Sequence, residues 1–165
     1  MRNGFTLIEI MVVVAVIIVL TGVGVVSLNK FNGNQALDAQ KEELMSDLRL
    51  ARNMAKTNQL PYGVSGSLQY VEIEILNKIL TVNSVSIDES GNTNVNDYST
   101  KKNESTNTIN SSFGFSVENG RLTNGNGVLI SSPVCLTLYL ASDTNDKKYI
   151  YIETSGLIYE KTTCN

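Results

Sequence analysis

Gly4-Phe5-Thr6-Leu7-Ile8-Glu9-Ile10-Met11-Val12-Val13-Val14-Ala15-Val16-Ile17-Ile18-Val19-Leu20 is the most apolar stretch of the chain, and it holds a single carboxylate. Across residues 5–28 the nearly unbroken apolar run is interrupted by Glu9, Thr21, Gly22, Gly24 and Ser27. Coiled as a helix it reaches roughly 36 Å at about 1.5 Å per residue, enough to cross a bilayer. An ionised carboxylate costs roughly 2.5–3.5 kcal/mol near the middle of a membrane helix and less near an end, so Glu9 needs a partner charge. Met1, Arg2, Asn3 and Gly4 stand in front. Arg2 and the initiator amine place the N-terminus in the cytoplasm and the remainder outside by the positive-inside rule. The alternative is a secretory signal peptide cut near Thr21-Gly22-Val23-Gly24, which leaves Glu9 without a purpose.

Helical spacing continues beyond this span. Leu37, Leu44, Leu48, Ala51 and Ala55 fall on one face, and Asp38, Glu42, Glu43, Asp47, Arg49 and Arg52 occupy the other. An apolar stripe of this kind packs on a domain. Residues 29–33, with Asn and Gly, form a weak joint, and the helix should stop near Asn58 because Pro61 disfavours helical geometry at Leu60.

After Pro61 the period changes to two. Val71, Ile73 and Ile75 alternate with Glu72 and Glu74; Leu136, Leu138 and Leu140 alternate with Cys135, Thr137 and Tyr139; Ile150 and Ile152 alternate with Tyr149, Tyr151 and Glu153. These read as half-buried strands, separated by turn signals at residues 118–121, 124–127, 142–146 and 155–156. The expected fold is α+β: an antiparallel sheet on one face of the helix, in one soluble domain. Residues 88–112 stand apart as a polar stretch with only Val95, Tyr98 and Ile109 as substantial apolar side chains, and read as a solvated surface loop. Asn103-Glu104-Ser105 and Asn110-Ser111-Ser112 fit the N-glycosylation pattern, a match that chance supplies readily in so Asn-rich and Ser-rich a segment.

The net charge is −3, with no His and no Trp. The usual hydrolytic triads are therefore absent, and no enzyme activity is expected. The two cysteines, Cys135 and Cys164, read as one disulfide if the chain faces an oxidising compartment. Two free buried thiols or half of a metal site are the alternatives, and no C-x-x-C or His completes such a site. Carboxylates at Asp88, Glu89 and Asp97, or at Asp143 and Asp146, lack a complete Ca²⁺ ligand pattern. Neither a metal nor another cofactor is expected.

Arg2-Asn3-Gly4-Phe5-Thr6-Leu7-Ile8-Glu9 resembles the leader and cleavage motif of type IV pilins and type II secretion pseudopilins, the type IV filament proteins. The resemblance implies cleavage by prepilin peptidase between Gly4 and Phe5, and N-methylation of Phe5. It implies a pilin-like fold, an assembly platform in the cytoplasmic membrane, and packing of the N-terminal helix among those of other pilin or pseudopilin subunits. Glu9 then neutralises the Phe5 amine of its own or a neighbouring subunit, a pairing that matters in low dielectric. The division that follows is a leader at 1–4, a membrane and assembly helix at 5–28, an amphipathic helix at 29–59, and a β-rich head at 60–165 with its polar loop at 88–112. Residues 48–59 and 149–159 resemble the helix end and closing hairpin of the minor-pseudopilin H and minor-pilin U/T group. A major pilin is the alternative; many of those carry Pro in the membrane helix where this chain has Val26.

DNA capture is the rival from another functional class. After residue 60 the head has seven basic residues (Lys78, Lys101, Lys102, Arg121, Lys147, Lys148, Lys161) against eleven acidic ones, a balance of −4. A phosphate binder needs a basic surface, so nucleic acid is not an expected partner, although Lys101-Lys102 and Lys147-Lys148 remain candidate patches.

Overall fold

The computed structural model describes residues 6–76, 79–102, 106–107, 111–140 and 143–164, and their side chains except at 22–30, 101–102, 106–107, 140 and 143–144. Among the described residues one helix, α1, runs Leu7–Lys56, and nine strands follow. The chain divides into two compact units, residues 1–36 and 37–165.

The first unit contains the early turns of α1. Thr6 opens the helix: its carbonyl accepts from the Glu9 and Ile10 amides at 3.1 and 3.4 Å. The backbone stays helical through residues 29–33, where a weak joint was expected. Gly and Asn lower helix propensity by at most about 1 kcal/mol each, too little to break a helix this long.

The second unit begins with the amphipathic half of α1. Leu37, Leu44, Leu48, Ala51 and Ala55 are all buried, as their spacing demands, together with Met45 and Met54. The helix ends in a Schellman arrangement: the Gln59 amide bonds the Met54 carbonyl at 3.0 Å and the Asn58 amide the Ala55 carbonyl at 3.2 Å, with Asn58 left-handed at φ 53°. Asn tolerates that conformation better than other non-Gly residues.

Nine strands form two antiparallel sheets where one was expected. The five-stranded sheet contains β1 (Ser67–Leu76), β2 (Ile79–Ile87), β3 (Thr93–Lys102), β5 (Ser111–Ser116) and β6 (Leu122–Asn124), in the order β3-β2-β1-β5-β6. The four-stranded sheet contains β4 (Thr106–Asn107), β7 (Val134–Leu140), β8 (Asp143–Ile152) and β9 (Ile158–Lys161), in the order β4-β7-β8-β9. Both sheets and α1 feed one core. Its largest members include Phe113 and Phe115 on β5, with rings meeting edge to face at 6.4 Å, and Leu37, Leu48, Met54, Ile73, Leu136 and Ile150.

Residues 88–112, read as a polar loop, instead supply β3 and β4 and the start of β5. β3 is an edge strand, so its ladder with β2 satisfies one side of the backbone while its polar side chains face water. The turn expected at 142–146 also moves, because β8 already begins at Asp143; the excess residues are absorbed by an irregularity in its pairing with β7 between Tyr139 and Leu140.

Candidate functional site

The sequence points first to the N-terminus. Gly4 and Phe5, the expected cleavage and methylation junction, lie outside the described residues, so the structure shows no geometry for them. Glu9 occupies the third position of α1, three residues after Thr6. Thr-x-x-Glu at a helix start is the capping-box pattern, in which the Glu side chain can satisfy a backbone donor of its own chain. A carboxylate in the first turn also suits the positive end of the helix dipole. Glu9 thus has a local use as well as the expected pairing with an amine.

The side chains around Glu9 are uncovered. Leu7 is 79% exposed, Ile8 70% and Leu20 69%, and the large aliphatic residues between them are all about half exposed or more. An apolar surface of this extent on a soluble chain marks contact with lipid or with other proteins. Thr21 turns its hydroxyl back to the Ile17 carbonyl at 2.7 Å, which satisfies that donor in an apolar setting. Among the described residues no helix is long and apolar enough to cross a membrane; the expected span, residues 5–28, falls partly outside them, at Phe5 and at the side chains of 22–28.

In the head, the residue that sequence reading missed is Lys41. It is buried at 6% exposure on the apolar face of α1, and its ammonium meets Glu160 of β9 at 2.7 Å, Glu42 at 3.3 Å and Asp38 at 3.6 Å. Lys148 of β8 closes the network on Asp38 at 3.0 Å. The hydrogen bond to Glu160 holds the Lys41 pKa above its ordinary value, and the one from Lys148 holds that of Asp38 below. The signal was present: Lys41 falls on the same stripe as Leu37, Leu44 and Leu48, and a charge on a buried stripe needs partners.

A second clasp lies one helix turn before the end of α1. Arg52 donates to the Gly120 carbonyl at 3.3 Å through Nε and to the Ser155 carbonyl at 3.0 Å through Nη2, tying α1 to the turns that precede β6 and β9. Gly156 sits at φ 79° directly against the Gly120 carbonyl, where a Cβ would collide.

The structure joins Cys135 of β7 to Cys164, with Cα atoms 5.7 Å apart, and so closes the strands β7, β8 and β9 into one covalent loop. In the chain-entropy account a loop of this length contributes about 3–4 kcal/mol. Asp88 accepts from its near neighbours, the Ser90 and Asn92 amides at 2.9 and 2.8 Å and the Asn94 side chain at 3.5 Å. No group of three metal-binding side chains occurs among the described residues. Of the basic pairs considered for DNA, Lys101-Lys102 has no described side chains, whereas Lys147 is exposed and Lys148 is engaged with Asp38.

Residues 1–25 match the family model of the prokaryotic N-terminal methylation motif. No curated protein matches the chain as a sequence. Among solved structures, the type IV minor pilin FimU of Pseudomonas aeruginosa PAO1 is similar in two crystal forms, each at 16% identity. One gives a TM-score of 0.54 over 82% of this chain and 99% of FimU; the other gives 0.52 over 76% and 92%. At that identity the likeness establishes the fold. The chain therefore combines an N-terminal methylation motif at residues 1–25 with a fold like that of FimU.

Proposed function

We propose that the chain is a structural subunit of a type IV filament, of the minor pilin or pseudopilin kind, held in the cytoplasmic membrane before assembly and in an extracytoplasmic filament after it. The observation that carries this reading is the motif at residues 1–25 placed on a helix whose apolar side chains are uncovered. Such a helix is stable in lipid, and stable again among like helices, because both environments replace water around the same surface.

Processing follows from the motif. Prepilin peptidase cuts after Gly4, Phe5 becomes the methylated N-terminus, and the net charge moves from −3 to −4 with the loss of Arg2. The new amine is the charge that Glu9 lacks within its own sequence neighbourhood. Before assembly the N-terminus lies on the cytoplasmic side, where the peptidase and an assembly platform act. In the filament the partners are other pilin or pseudopilin subunits, met through the N-terminal helix.

Intact-mass measurement of the assembled protein tests the reading. The expected mass lacks Met1 through Gly4 and carries one added methyl group. A chain that reaches filaments with those four residues attached would refute it.

A further inference from the structure

The two sheets of the head turn outward faces of opposite charge. In the five-stranded sheet the register sends Ile73, Ile75, Val82 and Phe113 into the core. The residues that alternate with them, Glu72 and Glu74 on β1, Thr81 and Asn83 on β2, and Asp97 and Thr100 on β3, lie on the outer face. Three carboxylates there stand against one cationic residue in register with the face, Lys102 opposite Ile79. In the four-stranded sheet Leu136, Leu138, Ile150 and Ile152 point inward, on the side of Lys148 and Glu160. Lys147 and Lys161 share the outer face with Tyr139, Tyr149, Tyr151 and Tyr159.

Each face has charge that the fold does not use. Glu74 and Lys147 are exposed, and neither has an ion partner among the described residues. Leu76, Ile79 and Val95 add exposed apolar area around the carboxylates. On the other face the tyrosines are half-buried, and Glu153, just past the end of β8, accepts from the Tyr159 hydroxyl at 3.1 Å. The Lys161 ammonium lies 4.1 Å from the centre of the Tyr151 ring, and Cys164, bonded to Cys135, sits beside Thr137. Tyrosine, with an apolar ring and a polar tip, is enriched where proteins meet.

We propose that the acidic face of the five-stranded sheet of one head docks on the tyrosine and lysine face of the four-stranded sheet of a second copy of this chain. Charge selects the occupant: two acidic faces or two basic faces would repel, whereas the unlike pair attracts. Because the two faces differ, the contact is heterologous, and each head still offers its other face to a further copy; such contacts extend into an open array when the rotation does not close a ring. Exposed ion pairs are weak one by one, so the contact takes hold where the N-terminal helices already keep copies side by side. It rests on the filament role proposed above and adds the faces through which heads meet.

The test is crosslinking with a water-soluble carbodiimide, which joins a carboxylate directly to an amine in contact with it, on the full-length protein packed densely in lipid vesicles. Isotope-labelled and unlabelled chains in equal amounts mark the links made between copies. Mixed-isotope links are expected from Glu72, Glu74 or Asp97 to Lys147 or Lys161, with a yield that falls as salt rises. Glu74→Lys and Lys147→Glu, both at exposed positions, should each lower the total yield between these faces by about tenfold by setting like charges together, and the two combined should restore it. Links confined to single copies, links between copies through other surfaces only, or no recovery in the combined variant would each overturn the proposal. A chain that gives these links while keeping Met1 through Gly4 upholds the contact and refutes the filament role; a processed chain without them refutes the contact alone.

Discussion

The two halves of α1 belong to one continuous helix, yet they solve the problem of apolar surface in opposite ways. From Leu44 to Ala55 the apolar residues form a stripe, and the head of the same chain covers it. From Leu7 to Leu20 they surround the helix and are exposed. The first pattern is stabilised by folding alone; the second awaits lipid or neighbouring helices. The position of each charge follows the same division. Lys41 finds its counter-ions within the fold, whereas the expected counter-ion of Glu9 is the Phe5 amine of its own or a neighbouring subunit.

The sharpest way to break this comparison is at Glu9. If its charge is needed for assembly, Glu9→Ala and Glu9→Gln should both be inserted and cleaved but enter filaments at least about a hundredfold less, since an unpaired buried charge is worth several kcal/mol. Blotting of sheared filaments against the membrane pool measures the ratio. Gln preserves the capping box, so normal incorporation of Glu9→Gln with failure of Glu9→Ala would assign Glu9 to its own helix start instead.

The covered half should respond in stability. Leu48→Ala is expected to destabilise the head by about 2–5 kcal/mol through the cavity it leaves, read as a lowered denaturation midpoint. Ile8→Ala, at an uncovered position, should leave that midpoint where it was. Equal losses at both sites would erase the distinction between the halves.

How far the distinction could be read from sequence depends on period. The stripe of Leu37, Leu44 and Leu48 and the alternation of Val71, Ile73 and Ile75 announce their elements, because burial on one face writes a repeat into the chain. β3 carries no such repeat. Asn94, Val95, Asp97 and Tyr98 are all exposed or nearly so at the sheet edge, and nothing there requires an apolar alternate. β2 hides for the opposite reason: Ser84 and Ser86 are fully buried, so its inward face looks polar. Of the candidate site, Glu9 was legible as a charge in an apolar run. The partners of Lys41 were not, since Glu160 and Lys148 reach Lys41 and Asp38 only through the packing of β8 and β9 on α1.

Removing the covalent link should cost slightly less than the core cavity. Cys164→Ser is expected to lower head stability by about 2–4 kcal/mol and to expose the chain end to proteolysis, and alkylation of the native protein without reductant should label neither cysteine. Full labelling of the native chain would show that the loop is open in solution.

The smallest effect concerns pH. Asp38 has its pKa lowered on folding, so its contribution is present above its unfolded value near 4 and is lost as pH falls through the lower folded value. Lys41 has its pKa raised, so its contribution is complete below about 10.5 and disappears as pH climbs through the higher folded value. Denaturation midpoints should therefore decline at both ends, and Lys41→Met should flatten the alkaline decline.

The bond between Cys135 and Cys164 also bears on mechanical load. β9 has four residues and a neighbour on one side only, the kind of terminal strand that peels first when a domain is pulled. Traction on α1 reaches that strand through Lys41 and Glu160. A few residues further on, the path ends in a covalent link back to β7, so the strand cannot unzip from its free end and tension must instead shear β7, β8 and β9 together.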